Sequence, residues 1–230
     1  MSNKSMLNFQ NAITDYRFLL ERGYPAKAAL KLIGDRYRLS KLKRNCLFRG
    51  IVKTDTAHRR KSKIIKRGNF TISSLGLDWY NILITVESYL KGYPLFIADD
   101  GIVRDSAGVH GSYKKTTITE KAVEQIISQM EKLNPGKLDI FIDSPVSYSG
   151  LMAEYLRSRL NNSSLKNCSV TLVPSADYPL KRYGGIVASS DSIILDSAVS
   201  IIDLPRYVLK YSFNYTPQPI EKLNLPVQNG

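Results

Sequence analysis

Cysteine, histidine and long apolar runs are scarce in this chain of 230 residues, and each scarcity excludes a class of protein. The 2 cysteines lie far apart and predict reduced thiols rather than a disulfide framework. The 2 histidines cannot build a histidine-rich zinc site, so a bound metal would be a hard cation held by carboxylates. No segment approaches the roughly 20 apolar residues of a membrane span, and the N-terminus lacks a signal-peptide pattern. We expect a cytoplasmic protein without membrane contact.

Positive charge is concentrated in the first third of the chain. The formal net charge is +13, yet residues 1–72 alone hold 18 basic and 4 acidic residues. The rest of the chain is nearly neutral. Such asymmetry predicts two modules, one of which meets a polyanion.

The basic first third has a helical pattern. Apolar residues recur at helical spacing over residues 8–22, Gly23 supplies a stop, and Pro25 suits the first turn of a second helix over 25–34. Ser40 is a candidate N-cap for a third helix. These helices predict a small helical module.

A strongly basic segment, HRRKSKIIKR, occupies residues 58–67, and six of its ten residues are Lys or Arg. It is either a solvated linker or a contact for nucleic-acid phosphates, and the second reading is favoured because each neutralised phosphate releases counterions. Together with the third helix it supplies the candidate nucleic-acid-binding residues Lys43, Arg44, Arg49, Lys53, Arg59, Arg60, Lys61, Lys63, Lys66 and Arg67.

After Asn69 the pattern changes to alternating strands and helices. This alternation predicts an α/β fold, in which the small helical module precedes a mostly parallel three-layer α/β/α domain. We expect a helical module with its basic linker over 1–69, an α/β domain over 70–212 and an extended arm over 213–230. The predicted strands span 70–78, 95–99, 138–143, 169–173, 186–190 and 200–203.

Aspartates stand at the ends of several predicted strands, where the active sites of open α/β sheets form. Asp78, Asp143 and Asp191 each close a strand, Asp100 closes a fourth, and Asp196 follows Asp191 by five residues. A single strand-end Asp is usually a helix cap or turn residue. Several at one edge repel each other unless a cation lies among them. We predict a Mg²⁺ or Mn²⁺ site on Asp78, Asp143 and Asp191, with Asp100 and Asp196 as outer members.

Three of these segments resemble a known superfamily over residues 70–203. LGLDWYNILITV, IFIDSP and GIVASSDSIILDSA are similar to the acidic strands of the PIN-like metal-dependent ribonucleases, notably their NYN branch. The resemblance implies that Asp78, Asp143 and Asp191 hold the metal, with Asp196 as a fourth acid. It further implies that Asn81 and Ser190 orient the carboxylates or the substrate.

The whole chain more closely resembles a chiefly archaeal family, domain-of-unknown-function family 434 with its fused C-terminal partner domain. That resemblance is nearly full length and implies an archaeal, intracellular setting without implying an activity. The segments on which this resemblance rests are YRFLLERGYPAKAAL, DRYRLSKLKRNCLFRG, DWYNILITVES, ADDGIVRDSAGVHGSY and IDSPVSYSG.

These observations support three hypotheses about function. The leading one is an RNA-binding, PIN-like metal-dependent ribonuclease, whose RNA includes ribosomal or transfer RNA among the candidates. The alternative is a non-catalytic RNA- or ribosome-associated protein with a degenerate PIN-like fold, favoured by Trp79, where glycine is common, and by the unusual segment 143–150. The third is a DNA-binding regulator. Two local roles stay open: His110 in loop 99–115 as a general base, and segment 143–150 as either a phosphate-binding turn or a helix cap.

Overall fold

The computed structural model describes residues 3–65, 70–106, 116–223 and 225. None of the helices in these residues is both long and apolar enough to cross a bilayer. The helices are α1 (Asn3–Glu21), α2 (Ala26–Arg36), α3 (Lys41–Gly50), α4 (Thr54–Ser62), α5 (Trp79–Leu90), α6 (Thr117–Leu133), α7 (Ser149–Asn161), α8 (Asp177–Leu180), α9 (Ser192–Ser197) and α10 (Leu204–Phe213).

The strands form two separate sheets, and the predicted α/β class with its leading helices is confirmed. The strands are β1 (Ser74–Asp78), β2 (Leu95–Ile97), β3 (Val103–Asp105), β4 (Lys137–Asp143), β5 (Cys168–Val173), β6 (Ile186–Ala188), β7 (Ser200–Ile201) and β8 (Gln218–Pro219).

The chain divides into two compact units that are not consecutive in sequence. The first unit comprises the described residues of Met1–Lys61, Gly92–Gly108 and Pro217–Gly230, and the second comprises those of Ser62–Lys91 and Val109–Thr216. This division differs from the three consecutive segments expected above. The internal segment Gly92–Gly108 and the C-terminal arm both belong to the first unit. The reason is that their strands, β2, β3 and β8, form a three-stranded sheet of their own and do not join the five-stranded sheet.

The first unit packs helices α1 to α3 and a small sheet around one core. Ser40 caps α3 as predicted, since its side chain accepts a hydrogen bond from the Lys43 amide. In the sheet, β2 pairs antiparallel with β3 and parallel with β8. The arm contributes to the core, where Ile220 is fully buried. A Cβ on Gly50 would lie 2.4 Å from the Ile220 side chain, so glycine permits this close approach.

The basic segment is not the linker that the sequence suggests. Helix α4 extends into its first half, and Arg60 there is buried, as is Ala57 three residues earlier on the same helix. Helical spacing therefore turns one of its cations, Arg60, inward.

The second unit contains a five-stranded parallel sheet in the order β5-β4-β1-β6-β7. From β1 the chain steps to β4 and then β5 in one direction, whereas β6 and β7 lie on the other side of β1. The strand order therefore reverses between β1 and β6. In open α/β sheets this reversal, at the carboxyl ends of the strands, is where ligands bind.

Alternation along the strands separates the two faces of this sheet. Leu75, Leu77 and Ile140 belong to a large apolar core shared with α5, α6, α7 and α10. The opposite face is lined by the short helix α8 and the turn after it, and a Cβ on Gly76 would lie 2.9 Å from Leu180. Because side chains alternate, Asp78 and Asp143 both belong to this second, more polar face.

Candidate functional site

Strand register brings the predicted aspartates of β1 and β4 to one end of the sheet. Asp78 pairs with Phe141 of β4, so Asp143 lies two residues further along the neighbouring strand and on the same face. On the other side Leu77 pairs with Ala188 of β6, which places Ser189 directly beside Asp78. The carboxyl ends of β1, β4 and β6 therefore present their polar residues together.

Asp78 is held in an unusual way for a strand-end aspartate. It occupies the N-cap position of α5 but makes no capping hydrogen bond with its side chain. Instead Oδ2 accepts hydrogen bonds from Asn81 Nδ2 at 2.5 Å and Ser189 Oγ at 2.7 Å. The residue is 2% exposed, and its buried Oδ1 has no hydrogen-bond partner in the described part of the chain. One carboxylate oxygen is therefore fixed and the other is left without a donor.

One further side chain and one main-chain amide complete the support of Asp78. Asn81 Oδ1 accepts a hydrogen bond from Ser190 Oγ at 2.9 Å, and Ser189 Oγ also accepts one from the Asp191 amide at 2.9 Å. The chain of bonds links β1, α5 and the turn after β6. It places Asn81 and Ser190 where they orient a carboxylate.

Burial and nearby negative charge raise the pKa of Asp78 to about 7. Burial is the larger cause, and the carboxylates of Asp143 and Asp191 add to it, against hydrogen bonds from Ser189 and Asn81. The pKa of Asp177 is raised too, first by burial and then by Asp191 and Asp143. Four aspartates from the ends of four segments thus interact, and we refer to Asp78, Asp143, Asp177 and Asp191 as the acidic cluster.

Asp143 and Asp191 each use one oxygen for local structure. Asp143 Oδ1 accepts a hydrogen bond from the Ala176 amide at 2.8 Å and so fixes the turn before α8. Asp191 Oδ1 caps α9 by accepting from the amides of Ile193 and Ile194, as a strand-end aspartate commonly does. The second oxygen of each carboxylate accepts no hydrogen bond from the described residues. Unlike Asp78, these two aspartates are only partly buried.

The raised pKa of Asp78 predicts a pH-dependent stability. Because the folded state binds this proton more tightly than the unfolded state, stability is lost as pH rises from about 4 to about 7. The loss reaches about 4 kcal/mol at most for a shift of this size. We expect Asp78→Asn, compared with wild type in EDTA, to gain several degrees in melting temperature between pH 5 and pH 8. A difference between the two proteins that is the same at both pH values would contradict the shift.

Two predicted outer members of the site are placed differently from Asp78. Asp100 lies in the first unit, where its carboxylate contacts Arg60 at 2.9 Å and Arg104 at 2.7 Å. We therefore remove Asp100 from the candidate site, because a carboxylate neutralised by two buried guanidinium groups has no need of a metal. Asp196 is exposed on α9, and its main-chain oxygen accepts a hydrogen bond from Lys63 Nζ at 2.7 Å.

Several of the predicted nucleic-acid-binding cations are engaged within the protein. Lys43 is half-buried, with Nζ 5.8 Å from the centroid of the Phe9 ring. The others in this group are Arg44 with Asp35 (2.8 Å), Arg49 with Asp105 (2.8 Å), Arg60 with Asp100 (2.9 Å) and Lys63 with the main-chain oxygens of Leu195 and Asp196 (3.1 and 2.7 Å).

The remaining predicted cations fall into two groups. Lys53, Arg59 and Lys61 are exposed at and along α4. Lys66 and Arg67, like His110, lie outside the described residues. A nucleic-acid contact by the described part of the basic segment therefore depends on its exposed α4 cations.

Asp177 is the member of the acidic cluster that the sequence reasoning missed. It follows β5 within SADYP, and an aspartate soon after a predicted strand was the available signal. The helix cap that the sequence suggests for segment 143–150 is not observed at α7. Tyr148 occupies the cap position without a side-chain bond, and Ser149 Oγ donates to the Ser144 carbonyl at 3.0 Å.

Comparison with known proteins defines the family. Residues 8–63 match "Protein of unknown function (DUF434)" and residues 68–207 match "Domain of unknown function (DUF5616)". The chain therefore belongs to the family in which DUF434 precedes DUF5616, which confirms the full-length resemblance. It is 30% identical over 207 residues to "Uncharacterized protein MJ0935" of Methanocaldococcus jannaschii, covering 89% of this chain and 98% of that protein. No solved structure matches, and the PIN-like resemblance stays a prediction.

Proposed function

We propose that this protein is a metal-dependent ribonuclease that hydrolyses phosphodiester bonds in RNA at the acidic cluster. The observation that carries the proposal is Asp78, a buried carboxylate whose Oδ1 has no partner in the described residues and whose pKa is raised by burial and then by the charges of Asp143 and Asp191. Adjacent carboxylates of this kind are costly in a folded protein unless a cation offsets their repulsion. Their position at the strand-order reversal is the usual place for a ligand in such sheets.

The donor set suits a hard divalent cation. Asp78, Asp143 and Asp191 each offer an oxygen that accepts no hydrogen bond from the described residues, and Mg²⁺ and Mn²⁺ prefer such oxygen ligands. In those residues no three acidic, histidine or cysteine side chains stand together as a complete ligand set. A Mg²⁺ ion held here would therefore have to complete its shell with water and substrate phosphate, as Mg²⁺ commonly does when one or two carboxylates bind it. When bound, the cation would polarise the scissile phosphate and activate a water molecule.

The chain's own residues would prepare that site. Ser189 and Asn81 hold Oδ2 of Asp78, so the carboxylate is oriented before a cation arrives. Asp143 fixes the turn before α8, which positions Asp177 at the edge of the cluster. Because Asp78 has a pKa of about 7, cation binding would displace a proton near neutral pH.

RNA is the proposed substrate because the protein carries a net charge of +13, concentrated in its first 72 residues. Lys53, Arg59 and Lys61 offer exposed cations there. Binding of the phosphate backbone by these residues would offset the repulsion that an acidic site alone exerts on a polyanionic substrate.

Salt dependence tests whether the α4 cations contact the RNA backbone. For Arg59→Ala/Lys61→Ala we expect weaker RNA binding in EDTA at low salt and a flatter plot of log K against log salt. The slope should fall by about 0.7 for each single-strand phosphate contact that is lost. The control is Lys27→Ala/Lys132→Ala, which replaces two exposed lysines elsewhere in the chain. Both double variants then have the same net charge. Equal slopes for the two double variants would show that α4 makes no particular contact.

The proposed function is tested by incubating single-stranded and structured RNA with the purified chain in Mg²⁺, Mn²⁺ or EDTA. We expect cleavage in either metal and none in EDTA. Cleavage that is equal in all three conditions would indicate a contaminant and contradict the proposal.

The alternative is a non-catalytic RNA- or ribosome-associated protein. It is favoured by the lack, in the described residues, of a ready-made group of three metal-binding side chains. The same assay decides between the two. RNA that is bound but intact with every metal would favour the binding protein.

A further inference from the structure

Large apolar side chains are exposed in the segments that follow the aspartates of the acidic cluster. In folded proteins exposed apolar groups that gather in one region commonly mark a binding surface. Here they follow the carboxyl ends of β4, β5 and β6, the same end of the parallel sheet at which the aspartates of the cluster lie. They are Tyr148 and Leu151 after β4, Tyr178 after β5 and Ile193 after β6, exposed by 65%, 63%, 71% and 50%.

Tyr148 is held in a conformation that tyrosine seldom adopts. It has φ 62° and ψ 20°, in the left-handed region, at the N-cap position immediately before α7. A left-handed tyrosine costs about 1 kcal/mol or more and persists only where its surroundings impose it. The neighbouring Ser149, buried and bonded to the Ser144 carbonyl, fixes the turn. The turn thus directs a large aromatic ring outward instead of burying it.

Tyr178 follows Asp177 of the acidic cluster directly. The Arg182 guanidinium lies 5.3 Å from the centroid of its ring. Asp143 accepts a hydrogen bond from Ala176, two residues before Tyr178, so the tyrosine is tied to the end of β4. The backbone of Tyr178 therefore adjoins the cluster, and its ring has beside it a cation that suits a phosphate.

We propose that Tyr148 and Tyr178 are stacking surfaces for two bases of single-stranded RNA beside the acidic cluster. The inference rests on the proposed function, because it names the form of RNA that this site accepts. Aromatic rings bind unpaired bases through their faces, and such contacts tolerate any base. In a duplex those faces are covered by neighbouring bases, so paired RNA cannot use the two rings. Arg182, against Tyr178, would meet the adjoining phosphate.

The experiment measures binding separately from cleavage. The probe is a 12-nucleotide single-stranded RNA that carries one 2-aminopurine, moved along the central positions, in Ca²⁺. For Tyr148→Ala and for Tyr178→Ala we expect the Kd to rise about 10-fold, the size of one lost base–aromatic stack. The quenching of 2-aminopurine at one position should also disappear. Tyr148→Phe and Tyr178→Phe keep a ring and should keep both the affinity and the quenching.

Tyr211→Ala is the matched control, because Tyr211 is 57% exposed and has Lys210 Nζ 5.2 Å from its ring centroid. It lies near the end of α10, away from the strand ends, and should leave the Kd unchanged. The same RNA annealed to its complement should bind all variants alike. Alanine variants of Tyr148 and Tyr178 with a Kd within 2-fold of wild type and with full quenching would overturn the inference, whatever the cleavage assay shows. Tyrosine-dependent binding without metal-dependent cleavage would support the stacking assignment and reject the ribonuclease.

Discussion

Replacing Asp78 by asparagine should lower metal-dependent RNA cleavage by at least about 100-fold to 1000-fold. The variant removes the charge from the carboxylate whose Oδ1 is buried without a partner in the described residues. A divalent cation contributes several kcal/mol to stabilising the charge that develops on a transferred phosphoryl group, and each 1.36 kcal/mol is tenfold in rate. The measurement is the initial rate of RNA cleavage in Mg²⁺ and in Mn²⁺ at pH 8, where wild-type Asp78 is ionised.

The matched control for this variant is Glu154→Gln, which makes the same chemical change on an exposed residue of α7. It should cleave like wild type. RNA affinity measured in EDTA should be the same for Asp78→Asn and wild type, since the proposed backbone contacts lie in the first unit. A lower rate that is accompanied by lost folding would not be informative, so melting temperature is recorded alongside. An Asp78→Asn protein that is folded and cleaves at the wild-type rate would reject the acidic cluster as the active site.

The geometry at Asp78 and Asp143 follows from information that is local in the sequence. Each aspartate ends a short apolar strand that alternates with helices, and parallel strands bring their carboxyl ends to one edge. Strand alternation then decides which face the two side chains share. A local pattern was therefore sufficient for these two residues and for the turn after β6 that carries Asp191.

Asp100 shows where the same reasoning fails. The segment before it is apolar and ends in an acid, as β4 does, but it forms β2 of the small sheet. A tight turn at Gly101, with φ 83°, folds the chain back so that β2 pairs antiparallel with β3. Its parallel partner, β8, is contributed by the C-terminal arm more than a hundred residues later. Which sheet a strand joins depends on this distant partner, and a local pattern cannot reveal it.

The basic segment shows the same limit for charge. The count of Lys and Arg shows that the first third of the chain is positively charged. It does not show which of these cations are exposed to solvent. Arg60 is turned inward by the helical spacing of α4 and is 3% exposed, whereas Arg59 and Lys61 on either side are exposed. The inward position is tolerated because Asp100 lies opposite. The buried ion pair joins Arg60 to Asp100, forty positions later in the chain. Nothing in the sequence around either residue indicates that the other is its partner.

Replacing Asp100 by asparagine should destabilise the protein by roughly 3–5 kcal/mol, which corresponds to a melting temperature lower by about 10 °C. Asp100 is 0% exposed and accepts hydrogen bonds from Arg60 and from both terminal nitrogens of Arg104. Although burial alone would raise its pKa, the two guanidinium groups hold that pKa below its usual value. The asparagine variant would leave two buried guanidinium groups without the carboxylate that both contact. Thermal and urea unfolding at pH 7 measure the loss.

Asp35→Asn is the matched control for Asp100→Asn, because Asp35 also lies between two cations, Lys31 and Arg44, but at the surface. Exposed pairs contribute about 0–1 kcal/mol, so its melting temperature should fall by no more than a few degrees. The comparison separates burial from the number of ion pairs. It also separates a structural role from a catalytic one, since a residue that holds a metal would lose activity and not stability when neutralised. If the Asp100→Asn protein were as stable as wild type but inactive, Asp100 would again be a candidate metal ligand. Equal destabilisation by the two variants would show that burial adds nothing to this ion-pair network.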